Sequence, residues 1–407
     1  MELAAVATPC AGAGGSGAST DRGSVTQERV QELFVHHFKE IITPCFELMT
    51  REYTGIVDEE TRCLKPGIFY NNDYAVAFRK VEGTITYAGI PGGDPKKIET
   101  MLRRNGYFYS AMGPKEFWER IRGDFIGGWS YDSLIMKEGD FSPSKAVKAL
   151  QQTTTFLDCA GVQILAEHLV LIDVWGEEGF DEIIRAQAPK RLQIGSCPNP
   201  EAFDISTLVM DKIPRKYPSS ITGRLPKDLI IGQTYYLANI PEYTKKHPDG
   251  CSMGMNLIYL GDRKFTGFGL NPEGMTLLEV AQSLRDDYNK PPIDPRLLLT
   301  DAVIAERPPF QYTLAVGSGR DRREISTSLE HCRHLVELGK DGFGFSMEEI
   351  RSQLIPFLER QKAELARHTL TMDEFMLKNP FFQEGSHFLL MSAEKVNRLF
   401  RDRVGRK

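Results

Sequence analysis

Residues 153–180 read TTTFLDCAGVQILAEHLVLIDVWGEEGF. Within them Val162, Leu165, Leu169, Ile172 and Trp175 recur at intervals of three or four, which predicts a helix with one buried face ending near Gly176. Asp158 and Cys159 stand where that helix begins. The unpaired N–H groups and positive dipole end of a first helical turn favour a thiolate, so Cys159 is a candidate nucleophile. The competing reading is a small, buried, apolar cysteine. On these residues alone the second reading has the better claim, because short cysteine patterns do not transfer between families.

Ordered blocks on either side change that balance. Asp158-Cys159-Ala160 is followed by Leu169, Leu171-Ile172-Asp173, Gly176-Glu177 and Phe180. Pro143-Ser144-Lys145-Ala146 precedes it, and Gly232 to Tyr236, Asn239, Gly254-x-Asn256 and Leu260-Gly261 come after. This series resembles the bacterial spore-coat-type protein-glutamine γ-glutamyltransferases (transglutaminases), over about residues 100 to 272. The last block also resembles the NlpC-type cysteine hydrolases. The resemblance implies an α+β fold: a papain/NlpC-like core whose nucleophile helix packs on an antiparallel sheet. It also implies Cys159 as catalytic nucleophile with Asp158 as its acidic companion, no cofactor and no metal.

Three departures accompany the matches. Met255 stands where the family carries a glutamate, and a thioether cannot accept a thiol proton. Phe268 stands where the family has a histidine after the next strand, and Asp158 replaces a glutamate. The implied reaction is attack of the Cys159 thiolate on a glutamine carboxamide, loss of ammonia, and transfer of the acyl group from the thioester to a lysine or other primary amine. Its partners would be proteins exposing glutamine and lysine. Two alternatives stay open: a catalytically inactive transglutaminase-like binding protein, or a cysteine hydrolase or deamidase in which water replaces the amine. His168 lies too far along the helix to serve Cys159, whereas His247 and Glu242 precede Met255 in a loop that could bring them near.

Composition sets wider bounds. The 407 residues are 41% hydrophobic and 26% charged, as in a globular chain of one large or two to three ordinary domains. A net charge of −5 argues against binding nucleic acid through phosphate contacts. Cys10, Cys45, Cys63, Cys159, Cys197, Cys251 and Cys332 are odd in number and scattered, without CxxC spacing. That predicts reduced thiols in the cytoplasm and no structural zinc site. Residues 1–23, rich in Ala, Gly, Ser and Thr, read as a flexible tail without a signal-peptide pattern. Glu167 and His168 interrupt the most apolar segment, so no membrane span is expected.

Residues 24–95 read as an N-terminal helix and hairpin region. Ser24 with Gln27 looks like a capping box for an amphipathic helix that Pro44 should interrupt. His36 and His37 are adjacent, so they are not expected to share a helical face as ligands. A hairpin is expected at 74–87, and the glycine-rich turn at 89–93 lacks the Lys-Ser/Thr of a phosphate loop. The core is expected over 96–290. It should hold short helices at 96–104 and 114–122, a strand at 129–136, and a helix from Ser142 to about Gln152. A long connection at 186–228 should lead to strands at 229–231, 234–237, 256–260 and 265–269, then a helix from Thr276 to about Tyr288. Residues 296–407 read as mainly helical, with capping boxes at Ser346/Glu349 and Thr371/Glu374. Gly317 to Arg323 is expected as a solvated loop before a helix at Ile325. His331 and His334 could share a metal at i and i+3, but Glu330 is the one further ligand nearby.

Overall fold

A computed structural model describes residues 24–50, 67–69, 113–126, 129–195, 199–215, 229–247, 252–292, 312–316, 323–380 and 386–403. The expected tail, hairpin, glycine-rich turn, first short helix and 317–322 loop lie outside them.

Helix α1 (Gln27–Thr50) starts two residues later than expected. Thr26 Oγ1, not Ser24, accepts the Arg29 N–H at 3.2 Å. Gln27 is spent elsewhere: its amide donates to the Met391 carbonyl and accepts from the Ala393 N–H, tying this helix to the far end of the chain. The helix runs through Pro44, where one missing N–H is tolerated because Val30, Phe34, Phe38 and Ile42 are buried along its length.

Strand β1 (Gly67–Phe69) precedes β2 (Trp118–Ile126) and β3 (Trp129–Met136). A helix was expected over 114–122; the residues instead pair antiparallel with β3 from Trp118↔Met136 onward. Buried Trp118 donates its indole N–H to the Ala146 carbonyl at 2.9 Å, a tertiary tie that overrides local helix propensity. Helix α2 (Pro143–Gln152) has the Ser142 cap expected of it, with Oγ accepting from Lys145 N. Strand β4 (Thr154–Phe156) pairs with β1 and delivers the chain into α3 (Cys159–Arg185). The expected end of α3 at Gly176 is a real break: φ 71°, ψ 163° there separates two helical segments.

The expected featureless connection at 186–228 holds β5 (Arg191–Ile194), β6 (Ala202–Phe203), α4 (Ser206–Val209) and β7 (Met210–Arg215). Then come β8 (Thr234–Ala238), α5 (Tyr243–Lys246), β9 (Gly254–Gly261), β10 (Lys264–Gly267), β11 (Met275–Thr276) and α6 (Leu277–Asn289). Residues 229–231 are not a strand. Asp262 and Arg263, at φ 48° and 61°, make the tight turn between β9 and β10. The Thr276/Glu279 capping box is formed on both arms.

Past residue 296 lie β12 (Tyr312–Val316), β13 (Arg323–Thr327), α7 (Leu329–Glu337) and α8 (Met347–Glu349). A π-helical turn (Ile350–Leu354) joins α8 to α9 (Ile355–Arg367), followed by α10 (Met372–Lys378), β14 (Ser386–Met391) and α11 (Ala393–Arg403). Ile325 thus lies in a strand, and the helix expected there begins at Leu329. The capping boxes of Ser346/Glu349 and Thr371/Glu374 are both formed.

The central sheet has six strands in the order β11-β10-β9-β8-β14-β7, every pair antiparallel. A second sheet runs β2-β3-β5-β6. Mixed helices and largely antiparallel sheets make this an α+β protein. Strand alternation divides the core. Ile258 of β9 joins α1, α2 and α3 in one apolar cluster, while Leu257 joins Tyr235, Leu237, Val280 and Leu284 in another on the opposite face. Helix α3 therefore packs on one side of the central sheet and α6 on the other. The apolar run of α3 meets the length and hydropathy of a membrane span, but 72% of that window is buried inside the fold.

Candidate active site

Cys159 is the first residue of α3 and Asp158 is its N-cap. Asp158 sits in extended backbone (φ −83°, ψ 175°), and its Oδ1 accepts the Gly161 N–H at 2.6 Å while its carbonyl accepts the Val162 N–H. A carboxylate at this position satisfies two needs at once: an orphan N–H finds a partner, and a negative charge meets the positive end of the dipole.

From the sheet, Asn256 of β9 points at the cysteine: its Nδ2 donates to Cys159 Sγ at 2.9 Å. The alternation of β9 makes that possible. Asn256 and Ile258 face α3, whereas Met255 and Tyr259 pack into the cluster on the other side. A side chain at 255 points away from Cys159, so the thioether of Met255 is not what faces the thiol. Position 256 is. Phe268 packs against the α3-side cluster.

Gly254 and Tyr236 share the Asn256 face, Tyr236 standing opposite Asn256 in the β8–β9 register. A Cβ at Gly254 would lie 2.4 Å from Cζ and the hydroxyl of Tyr236 and 2.7 Å from the Leu237 carbonyl oxygen. Glycine there is what leaves room for the Tyr236 phenol. Tyr236 is 42% exposed, so this face opens to solvent next to a half-buried cysteine.

The electrostatics run against a resting thiolate. Burial first, and the Asp158 charge second, push the Cys159 thiol up to about 12. Donors from the Asn256 side chain, the Asn256 backbone and the Ala160 backbone pull the other way and do not win. At about 12, roughly one thiol in 10⁵ is ionised at neutral pH. Burial likewise lifts the Asp158 carboxyl above the ordinary carboxylate range, against the Gly161 N–H that holds it down.

The histidines weighed from sequence lie elsewhere. His168 is buried within α3, its Nδ1 on the Ile164 carbonyl at 2.5 Å, and burial lowers its pKa. His247 is fixed on the opposite side of the sheet, Nε2 on the Tyr288 carbonyl at 2.9 Å and its ring stacked on Tyr243. In α7, Cys332 is buried while His331 and His334 are exposed. Among the described residues, Cys45, Cys159 and Cys332 are not joined in disulfides. Among the described residues, Asn256 is the only side chain hydrogen-bonded to Cys159. Sequence reasoning gave it no role; the signal that could have found it is the alternation Asn256-Leu257-Ile258-Tyr259, which puts one polar group on the helix-facing side.

The chain matches no protein-family model and no curated protein. Among solved structures it is similar to a transglutaminase from Geobacillus stearothermophilus (without its C-terminal extension), at 16% identity and a TM-score of 0.31. That likeness covers 63% of this chain and 85% of the other. A likeness at those values carries no argument about fold or activity; the geometry around Cys159 has to carry it.

Proposed function

We propose that this chain is a thiol acyltransferase of the transglutaminase type, with a papain/NlpC-like arrangement of nucleophile helix and sheet. Cys159 is the nucleophile and Asp158 its proton acceptor. The observation that carries the reading is the meeting of a half-buried cysteine, at the capped head of a core helix, with a donor from the facing strand, Asn256 Nδ2 at 2.9 Å from Sγ. Sγ attacks the carboxamide carbon of a protein glutamine as its proton passes to the Asp158 carboxylate. The C–N bond then breaks and ammonia leaves with that proton, giving a thioester. A lysine amine attacks the thioester, the C–S bond breaks, and the amine's proton returns to sulfur. Because a thiol at about 12 supplies almost no free thiolate, proton transfer has to accompany attack. The amide of Asn256 and the N–H of Ala160 are the donors positioned to stabilise developing charge.

The raised thiol favours a second reading, a non-catalytic protein with an inert cysteine. Incorporation of a fluorescent primary amine into a glutamine-bearing protein, wild type against Cys159→Ala, separates the two. Incorporation lost in the variant supports acyl transfer. Ammonia release without amine uptake means that water is the acceptor, as in a hydrolase. Neither amine incorporation nor ammonia release by the wild type sinks both catalytic readings.

A further inference from the structure

Far from Cys159, α1 and α3 bring four ligand-type side chains together. His36 Nε2 lies 3.4 Å from Glu40 Oε1, and His37 Nδ1 lies 3.7 Å from Glu40 Oε2. His37 Nε2 meets Asp173 Oδ2 of α3 at 2.8 Å. The adjacency of the two histidines suggested that they could not act together. Yet each stands three or four residues from Glu40, so both rings reach its carboxylate.

Two of these distances are long for hydrogen bonds, which cluster near 2.9 Å. They are instead close to the spacing of neighbouring ligands on one ion. Four donors held at about 2.0–2.2 Å in a tetrahedron stand roughly 3.3–3.6 Å apart. One atom from each of His36, His37 and Glu40 falls within a common 4.8 Å. A carboxylate can only accept, so His37 Nε2 donates its N–H to Asp173, and in the neutral imidazole Nδ1 is then the atom with a lone pair for an ion. Carboxylate–histidine pairing of this kind orients the rings of metal-ligating histidines. The His37 side chain is 13% exposed while that of His36 is 60% exposed, which gives one fixed ligand and one that can close from solvent.

We propose that His36 Nε2, His37 Nδ1 and the Glu40 carboxylate bind one transition-metal ion of the zinc class, with Asp173 positioning His37 and a fourth place open to water. The N₂O donor set suits zinc, nickel or copper, not magnesium or calcium. Because Asp173 belongs to α3, the ion would also brace α1 against α3.

The test is Zn²⁺ titration of the full chain in competition with a chromophoric chelator, and Co²⁺ spectroscopy to separate imidazole–carboxylate ligation from thiolate. One equivalent bound without a sulfur charge-transfer band is expected. His36→Ala and Glu40→Gln, both at exposed positions, should weaken binding more than tenfold, and Asp173→Asn about tenfold. Failure of the wild type to bind Zn²⁺ at about 1 mM overturns the proposal. So does undiminished binding in His36→Ala and Glu40→Gln, or a thiolate spectrum.

Discussion

At Cys159 the chemistry turns on competition between burial and donors. Alkylation by iodoacetamide should be slow at pH 7 and rise about tenfold per pH unit between pH 8 and 11, because the thiol ionises only near 12. A plateau by pH 9 would contradict that. Asp158→Asn keeps a good helix cap while removing the charge that raises the thiol. It should therefore speed alkylation at pH 8 yet slow amine incorporation by at least tenfold, since the proton acceptor is gone. Faster alkylation with unchanged incorporation would leave Asp158 as a cap and nothing more. Glu167 gives a second residue-scale prediction. Burial, then the Asp204 charge, lifts its carboxyl from 4.5 to about 8. Between those values the folded state holds a proton that the unfolded state has lost, so stability falls as pH rises and levels off above about 8. Urea unfolding should show Glu167→Gln gaining on wild type from pH 5 to 8, by an amount on the order of a few kcal/mol. A difference independent of pH would refute the assignment.

At the scale of elements, α3 illustrates what could and could not be read from the chain. Its periodic apolar positions and its break at Gly176 were legible, because both are local. Asp158, read as an acidic companion of Cys159, is also the N-cap of this helix. The β2 strand was not, because Phe117 and Trp118 suit either a helix face or a strand, and it is pairing with the next strand, β3, that decides. Asn256 was not singled out as a partner of Cys159, although the neighbouring Met255 was. Strand period is two, so moving attention from 256 to 255 moves it to the wrong face of the sheet. Two glycines make this scale testable. At Gly176 an added Cβ meets nothing within 4 Å, so Gly176→Ala should cost only the penalty of a backbone conformation (φ 71°, ψ 163°) essentially confined to glycine, about 1–3 kcal/mol. Gly254→Ala instead collides with Tyr236 and with backbone, and should cost about 1–3 kcal/mol and disturb the face beside Cys159. Undiminished stability in chemical denaturation, with amine incorporation untouched in Gly254→Ala, would speak against the Tyr236–Gly254 packing.

For the whole molecule, the decisive pairing joins distant parts of the chain. β14 lies between β7 and β8, with Met391 opposite Met210 and Leu389 opposite Thr234. Helix α11 closes the same side: Phe400 stacks on Trp175, Asn397 exchanges hydrogen bonds with Val25, and Lys395 pairs with Asp211. No periodicity near residue 386 could announce a partner so far upstream, which is why the mainly helical reading of the C-terminal region missed a strand of the central sheet. Deleting residues 386–407 should leave two strand edges unpaired and yield insoluble protein. A soluble, cooperatively unfolding truncation would overturn that account.

The late arrival of β14 also carries a cost in time. During synthesis β8 is complete about 150 residues before its neighbour exists. At translation rates of about 5–20 residues per second, that leaves an open strand edge beside β8 for roughly 7 to 30 seconds in every nascent chain. Yield in a cell-free system should accordingly depend on holdase chaperones supplied during translation far more than on those added after release.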